Sequence, residues 1–239
     1  MPNLAEWLAT PLGSYLIQHE QAYYDREVAD IFGYNAIQLG LPQYDLLRNN
    51  RMPLRLCSAR EYPARLRAAP DFLPVASQSI DLVLLPHVLE FSDHPHQILR
   101  ETERILMPEG QLIISGFNPF SLWGMARHLP GFRDALPRDR KFISLLRIKD
   151  WLELLGLEVI GGRMCCYVPP LQRQAWLQHF RFMEAAGDRW WALAGGVYFL
   201  RARKRVHGMR LITPAWNELR AARKALKPVA QKLINRNEQ

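Results

Sequence analysis

The fold is decided by residues 79–117, which read SIDLVLLPHVLEFSDHPHQILRETERILMPEGQLIISGF. The stretch opens with an apolar run over 79–85 that Pro86 stops. Such runs are typical of strands that are buried on both faces of a parallel sheet. A helical spacing of apolar residues follows over 98–106, and residues 111–117 are a second apolar run. Strand, helix and strand with tight connections make a βαβ unit, whose two strands run parallel.

The flanking sequence repeats this alternation of strands and helices. We predict further strands at 35–39, 53–57, 157–160 and 196–203, and helices at 44–48, 148–155 and 171–189. Residues 1–32 predict a helical N-terminal cap. A total of about six or seven strands between helices predicts an α/β fold with a doubly wound sheet.

The positive charge of the chain is confined to its last part. Of the net +8 over 239 residues, residues 1–202 contribute 21 Lys+Arg against 21 Asp+Glu, and residues 203–239 contribute 10 against 2. A neutral body argues against a basic nucleic-acid-binding domain. Residues 204–239 predict a basic helical tail, which either binds nucleic acid or an anionic surface or is a solvated helix packed by its apolar stripe.

Cysteine content and hydropathy restrict the location of the protein. The three cysteines, Cys57, Cys165 and Cys166, have neither a disulfide framework nor a metal-ligand spacing. We therefore predict no metal site and a reducing compartment. The N-terminal residues lack the features of a signal peptide. The longest apolar stretch has 11 residues, and a membrane span needs about 20. The sequence predicts a cytoplasmic protein without a transmembrane segment.

Several motifs, in order and at matching spacing, carry a family resemblance. Residues 73–91 read LPVASQSIDLVLLPHVLEF, and residues 98–114 read ILRETERILMPEGQLII. They resemble class I S-adenosylmethionine (SAM)-dependent methyltransferases of type 11, with most similarity to the branch related to ubiquinone-biosynthesis methyltransferases. That family reads L-P-F, F-D-x-V, L-E-H and L-x-E-x-x-R-V-L-x-P-G-G. The resemblance is strong over about residues 71–117 and looser over the rest of 35–203.

The resemblance implies a fold, a cofactor and a reaction. The fold would be a mostly parallel, seven-stranded, Rossmann-like methyltransferase sheet with the last strand antiparallel, in a domain over residues 1–203. The cofactor would be SAM, and its methyl group would pass to a small-molecule or macromolecular acceptor. No Asn-Pro-Pro-Tyr signature of nucleic-acid amino methylation is present, since the nearest text is Asn118-Pro-Phe-Ser121.

The resemblance also implies where the cofactor contacts lie, at the carboxyl ends of the strands. The expected contacts are Gly40 and Leu41 at the methionine end, Ser58 near the ribose, Asp71, Phe72 and Leu73 at the adenine, and Pro86, Leu89 and Glu90 at the methyl-transfer edge. Glu61 is an alternative ribose contact, or else a solvated helix residue.

The glycine motif after the first strand departs from the family pattern. The family has an acidic residue followed by G-x-G-x-G, where this chain has Gln38-Leu-Gly-Leu-Pro-Gln-Tyr44. Only Gly40 matches. Pro42 stands at the second glycine and has no N–H to donate, and Tyr44 stands at the third. The crevice is therefore either still open to SAM or plugged by Pro42 or Tyr44.

Two further features bear on catalysis. His87 has an ordinary pKa near 6.5 and is either a general base or a structural residue. Residues 117–146 predict a substrate-side insert, in which Phe117, Asn118 and Trp123 are candidate substrate contacts. The alternative for this segment is a packed excursion whose aromatic side chains close a small core.

The sequence leaves three functions open. The first is a SAM-dependent methyltransferase. The second is a catalytically inactive protein with a methyltransferase fold that acts in binding or regulation. The third is a nucleic-acid-binding protein that acts through residues 204–239.

Overall fold

The computed structural model describes residues 4–60, 63–129, 136–137, 141–180, 182–191 and 193–205. Its strands are β1 Asn35–Leu39, β2 Leu54–Ala59, β3 Leu66–Arg67, β4 Ile80–Pro86, β5 Leu106–Phe117, β6 Leu157–Cys165 and β7 Val197–Lys204. Its α-helices are α1 Leu4–Leu8, α2 Pro11–Glu27, α3 Pro95–Ile105, α4 Leu122–Ala126, α5 Leu145–Leu154, α6 Gln174–His179 and α7 Phe182–Trp190.

The seven strands form one sheet in the order β3-β2-β1-β4-β5-β7-β6. The pairs β1–β2, β1–β4, β2–β3 and β4–β5 are parallel. Strand β7 is antiparallel to both β5 and β6. This confirms the predicted α/β fold with a doubly wound, mostly parallel, seven-stranded sheet and an antiparallel last strand. The strand order reverses beside β1, the position where open α/β sheets bind ligands.

Strand β4 shows why the apolar runs predict buried strands. Leu82 and Leu84 pack in the hydrophobic cluster that α1 and α2 complete. Val83 and Leu85 point to the opposite face and pack in the cluster that α3 and α5 complete. Each such fully buried side chain stabilises the fold by roughly 1.5–3 kcal/mol relative to exposure. An alternating strand would leave one of these clusters unfilled.

The N-terminal cap is two helices and a 3-10 turn at Val28–Asp30 rather than a single helical stretch. Thr10 ends the first helix and caps the second, because its side-chain oxygen accepts the N–H of Gly13 at 3.2 Å. Gly13 allows α1 to cross closely over α2, since a Cβ at Gly13 would lie 2.2 Å from Trp7 O. The cap is therefore folded back on itself.

Some element boundaries differ from the sequence predictions. The prediction of a short helix at 44–48 is wrong, because these residues form turns. Strand β3 has two residues and was not predicted. The stretch 171–189 contains the two helices α6 and α7 rather than one. In the part of the chain that the structure describes, no helix has the length and apolarity to cross a bilayer.

Candidate functional site

A crevice opens at the carboxyl ends of β1, β2 and β4, where the strand order reverses. Its volume is about 280 Å³, close to the lower end of the ~300–1,000 Å³ typical of small-molecule sites. Leu4 and Ala5 of α1 form part of its wall. Five predicted cofactor contacts lie in the lining, namely Gly40, Leu41, Ser58, Asp71 and Pro86.

Neither Pro42 nor Tyr44, the two residues expected to plug the crevice if it is closed, fills it. Pro42 is part of the wall. Tyr44 is absent from the lining and packs against the hydrophobic cluster beneath α2. Gly40 has a φ of +83°, and a Cβ there would approach Val88 Cγ2 to 3.1 Å. The one glycine retained from the family motif therefore stands where backbone and neighbouring wall approach most closely.

Gln38 holds the loop that replaces the glycine motif. Its side chain is buried, and its Nε2 donates to the carbonyl oxygens of Gly40 at 2.9 Å, Leu41 at 3.0 Å and Tyr44 at 2.9 Å. Its Oε1 accepts the N–H of Leu46 at 3.0 Å. A carboxylate cannot donate to carbonyls. An amide at the family's acidic position therefore stabilises this loop in a way that the family's own residue cannot.

Besides His87, two residues of the crevice lining carry buried polar atoms without hydrogen-bond partners among the described residues. They are Ser58 Oγ and Asp71 Oδ1. Asp71 Oδ1 is an ion-pair neighbour of the Arg60 guanidinium at 3.6 Å, beyond hydrogen-bonding distance. Buried polar atoms are normally hydrogen-bonded. Because both residues line the crevice, these two atoms are candidates for contact with a bound molecule.

The segment after Asp71 does not have the predicted adenine contacts. Phe72 is 70% exposed and Leu73 is buried in the core, and neither lies in the crevice lining. The physical reason is the anchoring of Leu73 to helix α3, where its N–H donates to Glu101 Oε1 at 2.9 Å. Of the three predicted adenine contacts, only Asp71 therefore lies in the crevice lining.

Glu101 and Arg104 have a role that the sequence argument missed. They are the acidic and basic residues of the L-x-E-x-x-R motif, and they form an ion pair at 2.7 Å. Arg104 also donates to Leu73 O at 3.2 Å and Val75 O at 2.8 Å. The motif thus holds the segment that positions Asp71. Its spacing on one helix face was the available signal.

His87 lies at the end of β4 with a positive φ of +55°, unusual for a residue with a side chain. Its imidazole is fully buried between two carboxylates. Nδ1 is 2.9 Å from Glu90 Oε2, and Nε2 is 2.9 Å from Glu20 Oε1 of α2. The ring of Phe117 lies against it at 4.3 Å. This arrangement ties the N-terminal cap to the turn that forms one wall of the crevice.

The electrostatics of this cluster argue against a general base. Burial lowers the pKa of His87, but the carboxylates of Glu20 and Glu90 outweigh burial and raise it to about 10. Burial raises the pKa of Glu90 above its ordinary value, although its hydrogen bond to His87 opposes this change. An imidazolium carries a proton on each ring nitrogen and so has no lone pair for a substrate proton. The geometry and charge of this cluster favour a positioning role for His87 over the predicted catalytic one.

The remaining predicted contacts are core residues. Leu89 and Glu90 are buried, and Glu90 Oε1 accepts the N–H of Phe117 at 2.5 Å. Phe117 itself is fully buried. Asn118 is buried and hydrogen-bonds backbone carbonyls, and Trp123 is fully buried with its indole N–H donating to Val168 O at 2.7 Å. The burial of Trp123 fits the alternative of a packed segment whose aromatic side chains close a small core.

Some predictions fall outside the described residues. They are the ribose alternative Glu61, part of the 117–146 insert, and the tail from residue 206 onward. Within the described ranges, no group of three or more His, Cys, Asp or Glu side chains is arranged to hold a metal ion.

The sheet order defines a class, the Rossmann-like α/β folds, in which ligands bind at the position of this crevice. Residues 48–114 match the family model described as "Methyltransferase domain". This part of the chain is therefore similar to methyltransferase domains, and it includes strands β2 to β4, helix α3 and most of β5. The narrower resemblance to the ubiquinone-biosynthesis branch stays a prediction.

One curated protein is similar to this chain over part of its length. The "Uncharacterized protein YafS" of Escherichia coli (strain K12) is 42% identical over 103 residues, which span 43% of this chain and 43% of YafS. The chain thus matches less than half the length of this curated relative.

Solved structures agree at the level of the fold. The methyltransferase of a Haloferax volcanii complex with the Trm112 methyltransferase activator superposes with a TM-score of 0.59 at 14% identity, over 84% of this chain and 96% of that one. A SAM-dependent methyltransferase of Thermotoga maritima gives 0.57 at 14%, over 80% and 93%.

Proposed function

We propose that this chain binds SAM in the crevice beside β1 and transfers its methyl group to an acceptor. The observation that carries the proposal is the open crevice. Its loop has lost two glycines of the family motif, yet Gln38 holds the loop clear of the cavity. The second candidate, an inactive binding protein, is based on the altered glycine loop; Tyr44 of this loop packs against the hydrophobic cluster rather than in the crevice.

The lining fits an adenosyl group. Ser58 Oγ and Asp71 Oδ1 are buried acceptors without hydrogen-bond partners in the described structure, and a nucleoside carries hydroxyl and amino donors that match them. In this assignment Ser58 contacts the ribose, Asp71 contacts the adenine, and Gly40 and Leu41 line the methionine end. When bound, SAM supplies a methyl group already activated by its sulfonium.

The residues of this chain position rather than activate the reactants. Alignment of donor and acceptor alone supplies several kcal/mol to such a transfer. The His87 cluster fixes the turn at the end of β4, and α1 excludes water from the crevice through Leu4 and Ala5. We assign no general base, since a nucleophilic acceptor does not require one.

We also infer that the acceptor is bound at the carboxyl edge of β4 and β5, and that the protein works in the cytoplasm. The three cysteines are free, as is usual in a reducing compartment. The acceptor is a small molecule or a macromolecule, and its reacting atom is an oxygen, nitrogen or carbon.

Transfer of label from methyl-labelled SAM tests the activity. The full chain is incubated with labelled SAM and with small-molecule and macromolecular fractions of a lysate. We expect label to move into one fraction with the wild-type chain. Asp71→Ala should reduce the transfer at least about tenfold, because it removes a charged hydrogen-bond acceptor. The exposed Asp150→Ala is the matched control and should leave transfer unchanged. A chain that binds SAM yet transfers no label would favour the inactive alternative.

A further inference from the structure

Large apolar side chains are exposed mainly in two segments of the described chain. Of the seventeen that are exposed, nine lie within residues 118–129 and 173–193. Five of them define what we call the aromatic edge: Phe120 at 74% exposure, Met125 at 62%, Trp190 at 73%, Trp191 at 59% and Leu193 at 74%. Contiguous exposed apolar surface marks interaction sites rather than ordinary solvent-facing surface.

Asn118 joins the two segments into one surface. Its Nδ2 donates to Leu193 O at 2.9 Å, and its Oδ1 accepts the N–H of Phe120 at 3.0 Å. The strand pairing of β5 with β7 places Phe117 opposite Val197 just below. Both segments therefore leave the sheet at the same edge, the carboxyl edge of β5, which is also the edge at which the crevice opens.

The sequences of both segments contain more basic than acidic residues. In the sequence, residues 117–146 contain five Lys+Arg and two Asp+Glu, and residues 171–196 contain three and two. Residues 1–202 as a whole have no net charge, so the residues of this range outside the two segments have a net negative charge. Arg173 and Arg189 are exposed on helix-bearing segments of this edge. Tryptophan and phenylalanine beside arginine are the side chains that favour the headgroup region of anionic bilayers.

We propose that the aromatic edge docks onto the surface of an anionic lipid bilayer. The adjacent tryptophans and Phe120 enter the headgroup region, and the exposed Arg173 and Arg189 contact lipid phosphates. The proposal stands apart from methyl transfer, because it concerns a different surface from the crevice. Should both hold, the crevice edge faces the bilayer and the acceptor is a lipid-soluble molecule.

Vesicle sedimentation of the full chain, without SAM, tests the docking. The vesicles are phosphatidylcholine alone, or phosphatidylcholine with about a third phosphatidylglycerol, an anionic content chosen to give a negative surface potential. We expect binding to the anionic vesicles that is weakened at least tenfold in the triple variant Phe120→Ser, Trp190→Ser, Trp191→Ser. The matched control is Phe32→Ser, since Phe32 is also 74% exposed but precedes β1 at the opposite edge. It should bind as the wild-type chain does.

Three outcomes would overturn the proposal. The first is absence of binding to anionic vesicles. The second is equal binding by the wild-type chain and a folded triple variant, which would assign the affinity to residues 204–239. The third is self-association of the chain that the triple variant abolishes while lipid binding is absent, which would make a second copy the occupant. Each leaves the methyl-transfer proposal standing, since that depends on label transfer.

Discussion

Gln38 holds the loop that forms one wall of the crevice. Its amide satisfies three carbonyls and one N–H of the loop that replaces the glycine motif. The sequence shows only that Gln38 stands where the methyltransferase family has an acidic residue. The structure assigns its hydrogen bonds to the protein rather than to the cofactor. The sequence locates this residue near the end of β1, but only the conformation of the loop shows which groups hydrogen-bond to its amide.

Gln38→Glu tests this role, because it restores the family's acidic residue. We expect the substitution to destabilise the protein rather than to improve cofactor binding. A buried carboxylate facing three carbonyls should lower the free energy of unfolding at neutral pH by about 3 kcal/mol and weaken SAM binding. Stability should recover partly in acid, where the introduced carboxyl is protonated and donates again. Chemical denaturation measures both, with exposed Gln174→Glu as the control. An equally stable variant with tighter SAM binding would contradict the account.

The His87 cluster predicts a pH dependence of stability. The pKa of His87 is about 10 in the folded chain and near 6.5 when unfolded. Its contribution is therefore complete below pH 6.5 and is lost as the pH rises toward 10. Between pH 7 and 8.5 the free energy of unfolding should fall by up to about 1.4 kcal/mol per pH unit.

Denaturation at several pH values measures this slope. His87→Gln should flatten it, whereas the exposed His128→Gln should leave it as in the wild-type chain. The same slope in all three proteins would show that His87 is not held as an imidazolium. The sequence could not suggest this cluster, because Glu20 lies on a helix 67 residues before His87 in the chain.

At the scale of elements, the crossing of α1 over α2 determines how the crevice is closed. Gly13→Ala normally would stabilise a helix, because alanine has the higher helix propensity. Here the added methyl would lie 2.2 Å from Trp7 O and 2.5 Å from Leu8 Cα. We expect a loss of roughly 1–3 kcal/mol of stability and weaker SAM binding, since α1 contributes Leu4 and Ala5 to the wall.

Gly161→Ala is the matched control for this variant, because a Cβ at Gly161 has nothing within 4 Å. Its stability should stay within about 0.5 kcal/mol of the wild-type chain. Thermal unfolding and SAM titration of both variants check the prediction. A Gly13→Ala variant as stable as Gly161→Ala would mean that α1 does not pack in this way.

Elements were also where sequence reasoning was most reliable. Strands β1, β4 and β5 were recognisable because long apolar runs leave few alternatives. The two residues of β3 carry no periodicity, so nothing in the sequence indicated them. Apolar residues in connections were ambiguous in another way: Leu73 and Trp123 are residue types that suit a ligand contact and a core equally. Burial, which tertiary packing decides, separated the two.

At the scale of the whole molecule, the strand order predicted the crevice better than the glycine motif after β1 did. The strand order places the ends of β1, β2 and β4 together, and five of the predicted cofactor contacts line the resulting crevice. The degenerate glycine loop, read alone, pointed toward loss of function. The crevice is nevertheless open, because the hydrogen bonds of Gln38 hold the altered loop in its wall.

Isothermal titration calorimetry of the full chain with SAM, and separately with S-adenosylhomocysteine, tests the central claim most directly. The account predicts saturable one-to-one binding of both nucleosides with a Kd well below about 1 mM, which corresponds to at least about 4 kcal/mol of binding free energy. A folded chain that gives no binding heat with either nucleoside up to millimolar concentrations would contradict it.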